Sequence, residues 1–185
     1  VGDCICEIDL KKILSNTIDF SFPLIELEKN LYALELFHGP TLAFKDVGAR
    51  FMANCMDYFN NIELKSNTVL VATSGDTGAA VGNGFLNSKG TNVVILYPKD
   101  KVSEFQELQL TTFGNNVTAL RIKGNFDECQ NIVKRAFNDN DLKNITSNRS
   151  IPLNLEMAAN LEMLKMSKRL VRMKLNYCLL YTSPS

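Results

Sequence analysis

The sequence predicts an α/β fold in which βαβ units surround a parallel sheet. Strand-like and helix-like segments alternate several times between about residues 68 and 137, and this alternation is typical of βαβ units. The runs over 68–73 and 92–97 are apolar or β-branched at nearly every position. Such runs suit strands that are buried on both faces, as in a parallel sheet.

Composition excludes several classes of protein. The chain has 185 residues, with 20 Lys and Arg against 20 Asp and Glu, so its net charge is 0. This balance gives no electrostatic basis for binding nucleic acid or an anionic membrane. No run reaches about 18 uninterrupted apolar residues, so no membrane-spanning helix is expected. The first residue is Val1 rather than Met, which we interpret as the sign of a fragment or a processed product.

Cysteine usage predicts a reducing compartment, and we expect a cytoplasmic protein. The count is odd, and no signal peptide opens the chain. A metal site is not expected, because a Cys-x-Cys pair lacks further ligands at metal spacing and His38 is the only histidine. Two cysteines fall on apolar helical stripes, Cys55 and Cys129, which predicts buried thiols. The other three are Cys4, Cys6 and Cys178.

The first 59 residues are predicted to hold two helices and one strand. Residues 1–30 are expected to be helical and then irregular, with a break at Pro23, and 31–37 to form a short strand. A turn over 38–41 precedes a helix from about Ala43 to Phe59. Its apolar residues recur every three or four positions, which predicts one buried face: Phe44, Phe51, Met52, Cys55, Met56 and Phe59.

The remaining elements alternate between strand and helix. After the strand over 68–73, a helix runs to about Leu86, and strands cover 92–97 and 116–122. Ser103 opens the next helix with Gln106 in capping-box spacing, and Gly114 is its predicted C-cap. Asn125 and Glu128 form a second box ahead of a helix with the apolar stripe Phe126, Cys129, Ile132, Val133, Ala136 and Phe137.

Lys45 lies in the first turn of a predicted helix, after the segment Phe37-His-Gly-Pro-Thr-Leu-Ala-Phe44. The positive end of the helix dipole disfavours an ammonium there, and desolvation among apolar neighbours acts in the same direction. Both effects favour the neutral amine, which can attack an aldehyde. The alternative is a lysine whose charged end reaches water, and spacing alone favours that alternative.

A second segment, residues 73–80 (Thr-Ser-Gly-Asp-Thr-Gly-Ala-Ala), joins the carboxyl end of a buried strand to the start of a helix. Ligands bind at that position in open α/β sheets, and the N–H groups of a helix N-terminus suit a carboxylate or phosphate. The segment is neither a Walker A loop nor the dinucleotide-binding fingerprint. The alternative is that Gly78, Gly82 and Gly84 only permit close packing.

Together the two segments resemble the threonine synthases, of the fold type II family of pyridoxal-phosphate (PLP) enzymes. Residues Glu35-Leu-Phe-His-Gly-Pro-Thr-Leu-Ala-Phe-Lys-Asp46 are similar to the family's Schiff-base lysine segment, and 72–80 to its substrate-side loop. Residues 95–98 and 124–130 follow in the expected order. The resemblance runs from about residue 10 to about Ser147.

The resemblance implies roles for individual residues. Lys45 would bond to PLP and move protons, and Asp76 would lie near the phenolic oxygen of the cofactor. The substrate carboxylate would be held by Ser74, Gly75 and Thr77. The implied reaction converts O-phospho-L-homoserine and water to L-threonine and phosphate, so the implied partner is this small molecule.

The resemblance also divides the chain. Residues 1–30 would end an amino-terminal region, 31–150 would form an incomplete PLP-binding domain of fold type II, and 151–185 would diverge, as an edge helix or as a non-native tail. The family's phosphate-binding loop Ser-Gly-Asn-Phe-Gly does not follow residue 150, and residues 124–127 resemble it only in part. We therefore expect a truncated chain that is inactive alone.

Two alternatives to a threonine synthase stay open. One is another fold type II PLP phospho-lyase, which would act on the same substrate without adding water. The other is an α/β module that binds an anion or a nucleotide through residues 74–78 without covalent chemistry. An essential Lys45 separates the two enzymes from the binding module.

Overall fold

A computed structural model describes residues 4–63 and 67–145 of the chain. These residues form six helices and five strands. The helices are α1 (Glu7–Thr17), α2 (Lys45–Glu63), α3 (Asp76–Gly84), α4 (Glu104–Thr111), α5 (Phe126–Asn138) and α6 (Asn140–Ile145). The strands are β1 (Leu24–Glu28), β2 (Leu31–Leu34), β3 (Asn67–Ala72), β4 (Thr91–Pro98) and β5 (Val117–Ile122).

A three-stranded parallel sheet lies at the centre of the fold. Its strand order is β3-β4-β5, with Asn67 opposite Thr91 and Val93 opposite Val117. The chain passes from β3 through α3 to β4, and from β4 through α4 to β5. The predicted α/β class with βαβ units is therefore confirmed, and the three predicted strands agree with the observed ones to within one residue at each end.

Helices cover both faces of this sheet. On one face, Ile95 belongs to a core cluster with Ala49 of α2 and Val81 of α3. On the other face, Leu96 packs with Cys129 of α5. Successive residues of a strand point to opposite faces, so a strand between two cores must be apolar at every position. This explains the continuous apolar runs in the sequence.

The segment before Lys45 contains a strand that was not predicted. Residues 24–28, expected to be irregular, form β1, which pairs antiparallel with β2 around a turn at Asn30 (φ 67°). Every residue of β1 is exposed, so no buried face marked this strand in the sequence. The hairpin crosses residue 30, the predicted domain boundary, and that boundary stays a prediction.

The predicted buried face of α2 is wrong in part. The small residues Ala49 and Ala53 are 0% and 2% exposed, whereas Phe59 is 38% exposed. Helix α3 lies so close that a Cβ added to Gly84 would be 3.0 Å from the backbone carbonyl carbon of Ala49. Only small side chains fit between the two helices, and the larger residues Met52 and Met56 pack beside this contact. The helix also extends four residues past its predicted end, to Glu63.

Both predicted capping boxes are present, at the starts of α4 and α5. The C-cap of α4 is Thr112, so Gly114 is not the cap, and it lies instead in the following turn with a φ of 65°. Ile132 was placed on the buried stripe of α5 but is 39% exposed. Not every apolar residue of the α5 stripe is buried. The residues of α5 that are buried in the core are Cys129 and Val133.

No described helix is both long enough and apolar enough to cross a membrane. The four cysteines of the described residues are free: Cys129 is buried, Cys55 is half-buried, and Cys4 and Cys6 are exposed. Burial raises the pKa of the Cys55 thiol. The segment 151–185, with Cys178, lies outside the described residues.

Candidate active site

Lys45 is the first residue of α2, which begins two residues later than the predicted start near Ala43, and its side chain is half-buried. Within residues 4–63 and 67–145, no carboxylate forms an ion pair with its amine. The N–H groups at the start of a helix carry partial positive charge, which disfavours a nearby ammonium. The structure therefore places Lys45 at a helix start, and its role as a reactive amine stays a prediction.

A buried carboxylate holds the turn that precedes Lys45. Asp46 is 0% exposed and accepts hydrogen bonds from the Thr41 backbone N–H at 2.9 Å and from the Thr41 hydroxyl. Gly39 lies against this carboxylate, since a Cβ there would be 2.4 Å from Asp46 Oδ2. Burial raises the pKa of Asp46, while the hydrogen bonds from Thr41 and the charge of Arg50 act against that rise. This role of Asp46 was not predicted, although an acidic residue in the first turn of a helix is a common signal of such a contact.

Thr73 organises the loop between β3 and α3. Its side chain is fully buried, and its Oγ1 accepts hydrogen bonds from the N–H groups of Gly75 at 3.0 Å and Gly78 at 2.8 Å. Gly75 has a φ of 143°, a conformation that favours glycine. Helix α3 begins at the next residue, Asp76. The buried hydroxyl of Thr73 thus fixes the backbone on which the predicted substrate contacts lie.

The four predicted residues of this loop differ in exposure. Ser74 and Asp76 are exposed, whereas Gly75 and Thr77 are buried, with Thr77 4% exposed. The Gly75 N–H donates to Thr73 in this structure. Contacts of Ser74, Gly75 and Thr77 with a substrate carboxylate, and of Asp76 with a cofactor, stay predictions.

Helix α4 contacts both predicted segments. Gln106 Nε2 donates to Asp76 Oδ1 at 2.9 Å, and Gln109 Nε2 donates to the Thr41 carbonyl at 3.4 Å. Residues three apart on a helix lie on the same side of it, about 4.5 Å apart along the axis. The turn before Lys45 and the start of α3 therefore meet at one face of α4.

The two glutamine contacts were not predicted. Gln106 was identified only as a capping residue, and Gln109 was not identified at all. These contacts join residues 30 and 68 positions apart in the chain, so no local pattern marks them.

These residues fit a cofactor that carries an aldehyde and a substrate that carries a carboxylate. The Lys45 amine could bond to the aldehyde, and the N-terminus of α3 offers N–H groups and a favourable dipole to an anion. Among the described residues, no three His, Cys, Asp or Glu side chains are grouped as metal ligands would be. Such a donor set fits a PLP cofactor that would be held through a lysine.

Relatives of known function share most of this chain. Threonine synthase from Buchnera aphidicola subsp. Baizongia pistaciae is 49% identical over 144 residues, which cover 77% of this chain and 34% of the relative. Threonine synthase from Escherichia coli is 46% identical over 143 residues, covering 77% of this chain and 33% of the relative. The chain thus spans about a third of the length of these curated relatives.

Solved structures agree with the sequence relatives. The crystal structure of threonine synthase from Escherichia coli matches with a TM-score of 0.74 at 42% identity, covering 88% of this chain and 36% of that chain. PLP-bound threonine synthase from Brucella melitensis matches with a TM-score of 0.72 at 39% identity, covering 81% and 34%.

The sequence profile of one protein family, described as "Pyridoxal-phosphate dependent enzyme", matches residues 20–161. The match covers well over half of the 185 residues and includes both Lys45 and the loop before α3. The predicted cofactor and fold family are thereby confirmed. This chain belongs to the family of pyridoxal-phosphate dependent enzymes.

Proposed function

We propose that this chain is part of a threonine synthase, which converts O-phospho-L-homoserine and water to L-threonine and phosphate. The observation that carries the proposal is the identity of 46–49% to threonine synthases over about three-quarters of the chain. The contacts of α4 with both the turn before Lys45 and Asp76 support it, because the two predicted segments pack against the same helix.

Each predicted residue has a role in this proposal. Lys45 Nζ would hold the cofactor and would move the proton at the substrate Cα. Ser74, Gly75 and Thr77 bind the substrate carboxylate at the start of α3, where the helix dipole favours an anion. Asp76 would lie near the phenolic oxygen of the cofactor. PLP, when bound, supplies an electron sink for the negative charge that develops at Cα.

The proposal extends to the organisation and location of the protein. The divisions at residues 30 and 150 stay predictions: 31–150 as part of the PLP-binding domain, 1–30 as the end of the region before it, and 151–185 as a divergent segment. The family profile, which spans residues 20–161, overlaps both divisions. The only partner proposed is the small-molecule substrate, which agrees with a net charge of 0 and no basis for nucleic-acid binding. We place the enzyme in the cytoplasm, which is supported by the four free cysteines of the described residues.

A chimera tests the proposal, because the chain spans only a third of its relatives. Residues 20–145 of this chain would replace the aligned segment of the Escherichia coli threonine synthase. The chimera should release phosphate from O-phospho-L-homoserine and form threonine in equal amount. Lys45→Ala should abolish both products, and borohydride should fix PLP onto Lys45. The matched control is Lys123→Ala in the same chimera, because this lysine is exposed and should not affect PLP fixation.

Different outcomes separate the alternatives. Phosphate release without threonine would identify a phospho-lyase and overturn the synthase. Full activity of Lys45→Ala would overturn the covalent role and favour an anion-binding module. A folded chimera that binds PLP but turns over no O-phospho-L-homoserine would show that the substrate differs.

A further inference from the structure

We propose that Gln106 is a positioning residue of the candidate site, whose side-chain amide is fixed by the capping box of α4 so that it holds the Asp76 carboxylate. The inference rests on the proposed function only in taking Asp76 as a site residue. Its evidence is the set of contacts that Gln106 makes within the described chain.

The orientation of the Gln106 amide is determined at both ends. Its Oε1 accepts from the Ser103 backbone N–H at 3.0 Å and from the Ser103 hydroxyl at 3.2 Å. Its Nε2 donates to Asp76 Oδ1 at 2.9 Å. A backbone N–H can only donate and an ionised carboxylate can only accept. The reverse orientation of the amide would therefore lose the hydrogen bond from the Ser103 N–H and the hydrogen bond to Asp76.

Gly75 completes this arrangement. A Cβ added to Gly75 would be 2.3 Å from Gln106 Nε2 and 2.4 Å from its Cδ. The Gln106 side chain thus occupies the space that a side chain at position 75 would take. Glycine is needed there both for this contact and for the φ of 143°. The Gln106 side chain therefore lies against Gly75, the N-cap of α3, and its amide donates to Asp76, the first residue of that helix.

The second capping box of the chain shows that a cap alone does not need glutamine. At the start of α5, Glu128 Oε2 accepts from the Asn125 N–H at 2.6 Å, and the Glu128 N–H donates to Asn125 Oδ1 at 3.0 Å. Glutamate and glutamine serve equally in such a box. In the box at α4, the side chain of Gln106 accepts from the cap and also donates to the Asp76 carboxylate. In the box at α5, the carboxylate of Glu128 can only accept.

This difference gives a variant that keeps the cap and removes the contact. Gln106→Glu preserves the capping box but places one carboxylate against another. Adding Asp76→Asn in the same chain restores a donor, because the new Asn amide can then donate to the carboxylate introduced at position 106. Glu128→Gln is the matched control, since it makes the mirror change in a box that faces no site residue.

The first measurement needs neither cofactor nor substrate. In the 185-residue chain, amide hydrogen exchange of the first turn of α3 (76–79) should become about tenfold faster in Gln106→Glu, because a charge-assisted hydrogen bond is lost. The double variant should return to near the parent rate, and Glu128→Gln should not change it. Unchanged exchange in Gln106→Glu, or a double variant as fast as the single one, would overturn the proposal.

The second measurement reports on the site itself. In the chimera, Gln106→Glu should weaken PLP binding about tenfold and alter the visible circular dichroism of the bound cofactor, whereas Glu128→Gln should do neither. A purely structural cap predicts the parent affinity and spectrum in both variants, and that result would overturn the role at the site. Loss of threonine formation in the unsubstituted chimera, with the exchange pattern as expected, would contradict the proposed function and leave this inference standing.

Discussion

Gly39→Ala should damage the turn before Lys45 by displacing a buried carboxylate. The new Cβ would lie 2.4 Å from Asp46 Oδ2 and 3.0 Å from Asp46 Cβ. Relief of the 2.4 Å contact requires a shift of about 1 Å, because non-bonded heavy atoms pack at about 3.5 Å. Asp46 is fully buried and hydrogen-bonded to Thr41, so a shift of its carboxylate would displace packed neighbours or lengthen that hydrogen bond.

The expected loss of unfolding free energy is about 2–4 kcal/mol. Overpacking in a filled core costs about 1–3 kcal/mol. The weakened hydrogen bond from the Thr41 N–H to Asp46 adds about 1 kcal/mol. No backbone strain is added to this loss, since the φ of Gly39 is not positive and alanine can adopt it.

Gly114→Ala is the matched control for this loss. Gly114 has a φ of 65° and no heavy atom within 4 Å of an added Cβ, so it tests backbone strain without overpacking. That strain should cost about 1 kcal/mol. Urea unfolding of the 185-residue chain, followed by far-ultraviolet circular dichroism, measures both variants. A loss for Gly39→Ala that is no larger than the loss for Gly114→Ala would refute the reasoning.

Three further predictions concern buried polar groups. Because burial raises the pKa of Asp46 above 3.8, the folded chain keeps a proton that the unfolded chain has lost. In urea titrations, the free energy of unfolding of the parent should therefore fall relative to that of Asp46→Asn as pH rises from 3.8 through the raised pKa. A relative increase in unfolding free energy over this pH range would contradict the prediction. Asp57 Oδ1 is buried without a hydrogen-bond partner among the described residues, and burial raises the pKa of this carboxyl, while a hydrogen bond with Ser88 and the charge of Lys89 act against that rise. In urea titrations, the unfolding free energy of the parent should therefore fall relative to that of Asp57→Asn as pH rises above 3.8, and a relative rise would contradict this. Thr73→Val keeps the side-chain shape but removes the acceptor of two buried N–H groups, so the free energy of unfolding should fall by about 1–3 kcal/mol. The exposed Thr111→Val is the control and should cost less than about 1 kcal/mol; equal losses in thermal unfolding would argue against this role of Thr73.

The sequence was sufficient to predict the parallel sheet and its helices because their signals are local. Continuous apolar runs, capping boxes and helical periodicity are all read within a few residues. The same runs placed Lys45 at a helix start and the 73–80 segment after a strand, and both positions agree with the structure. The elements that carry the site were therefore predictable from pattern and resemblance alone.

Contacts between distant segments were beyond this reasoning. The carboxylate of Asp46 is buried because Gly39 lets it approach the turn, and no periodicity marks such a pair. The buried face of α2 was misjudged for a similar reason, since the glycine that demands small residues on α2 lies in α3. Hydrophobicity predicts which residues prefer the core, and it does not predict how near another backbone comes.

The close approach of α2 and α3 limits motion within the candidate site. At Gly84 the two backbones meet with no side chain between them, and tightly packed interiors of this kind resist compression and sliding. We therefore expect sliding of α3 along α2 to be resisted at this contact. If Lys45 reacts as proposed, the torsions of its own four-carbon side chain are then the main source of movement for its amine.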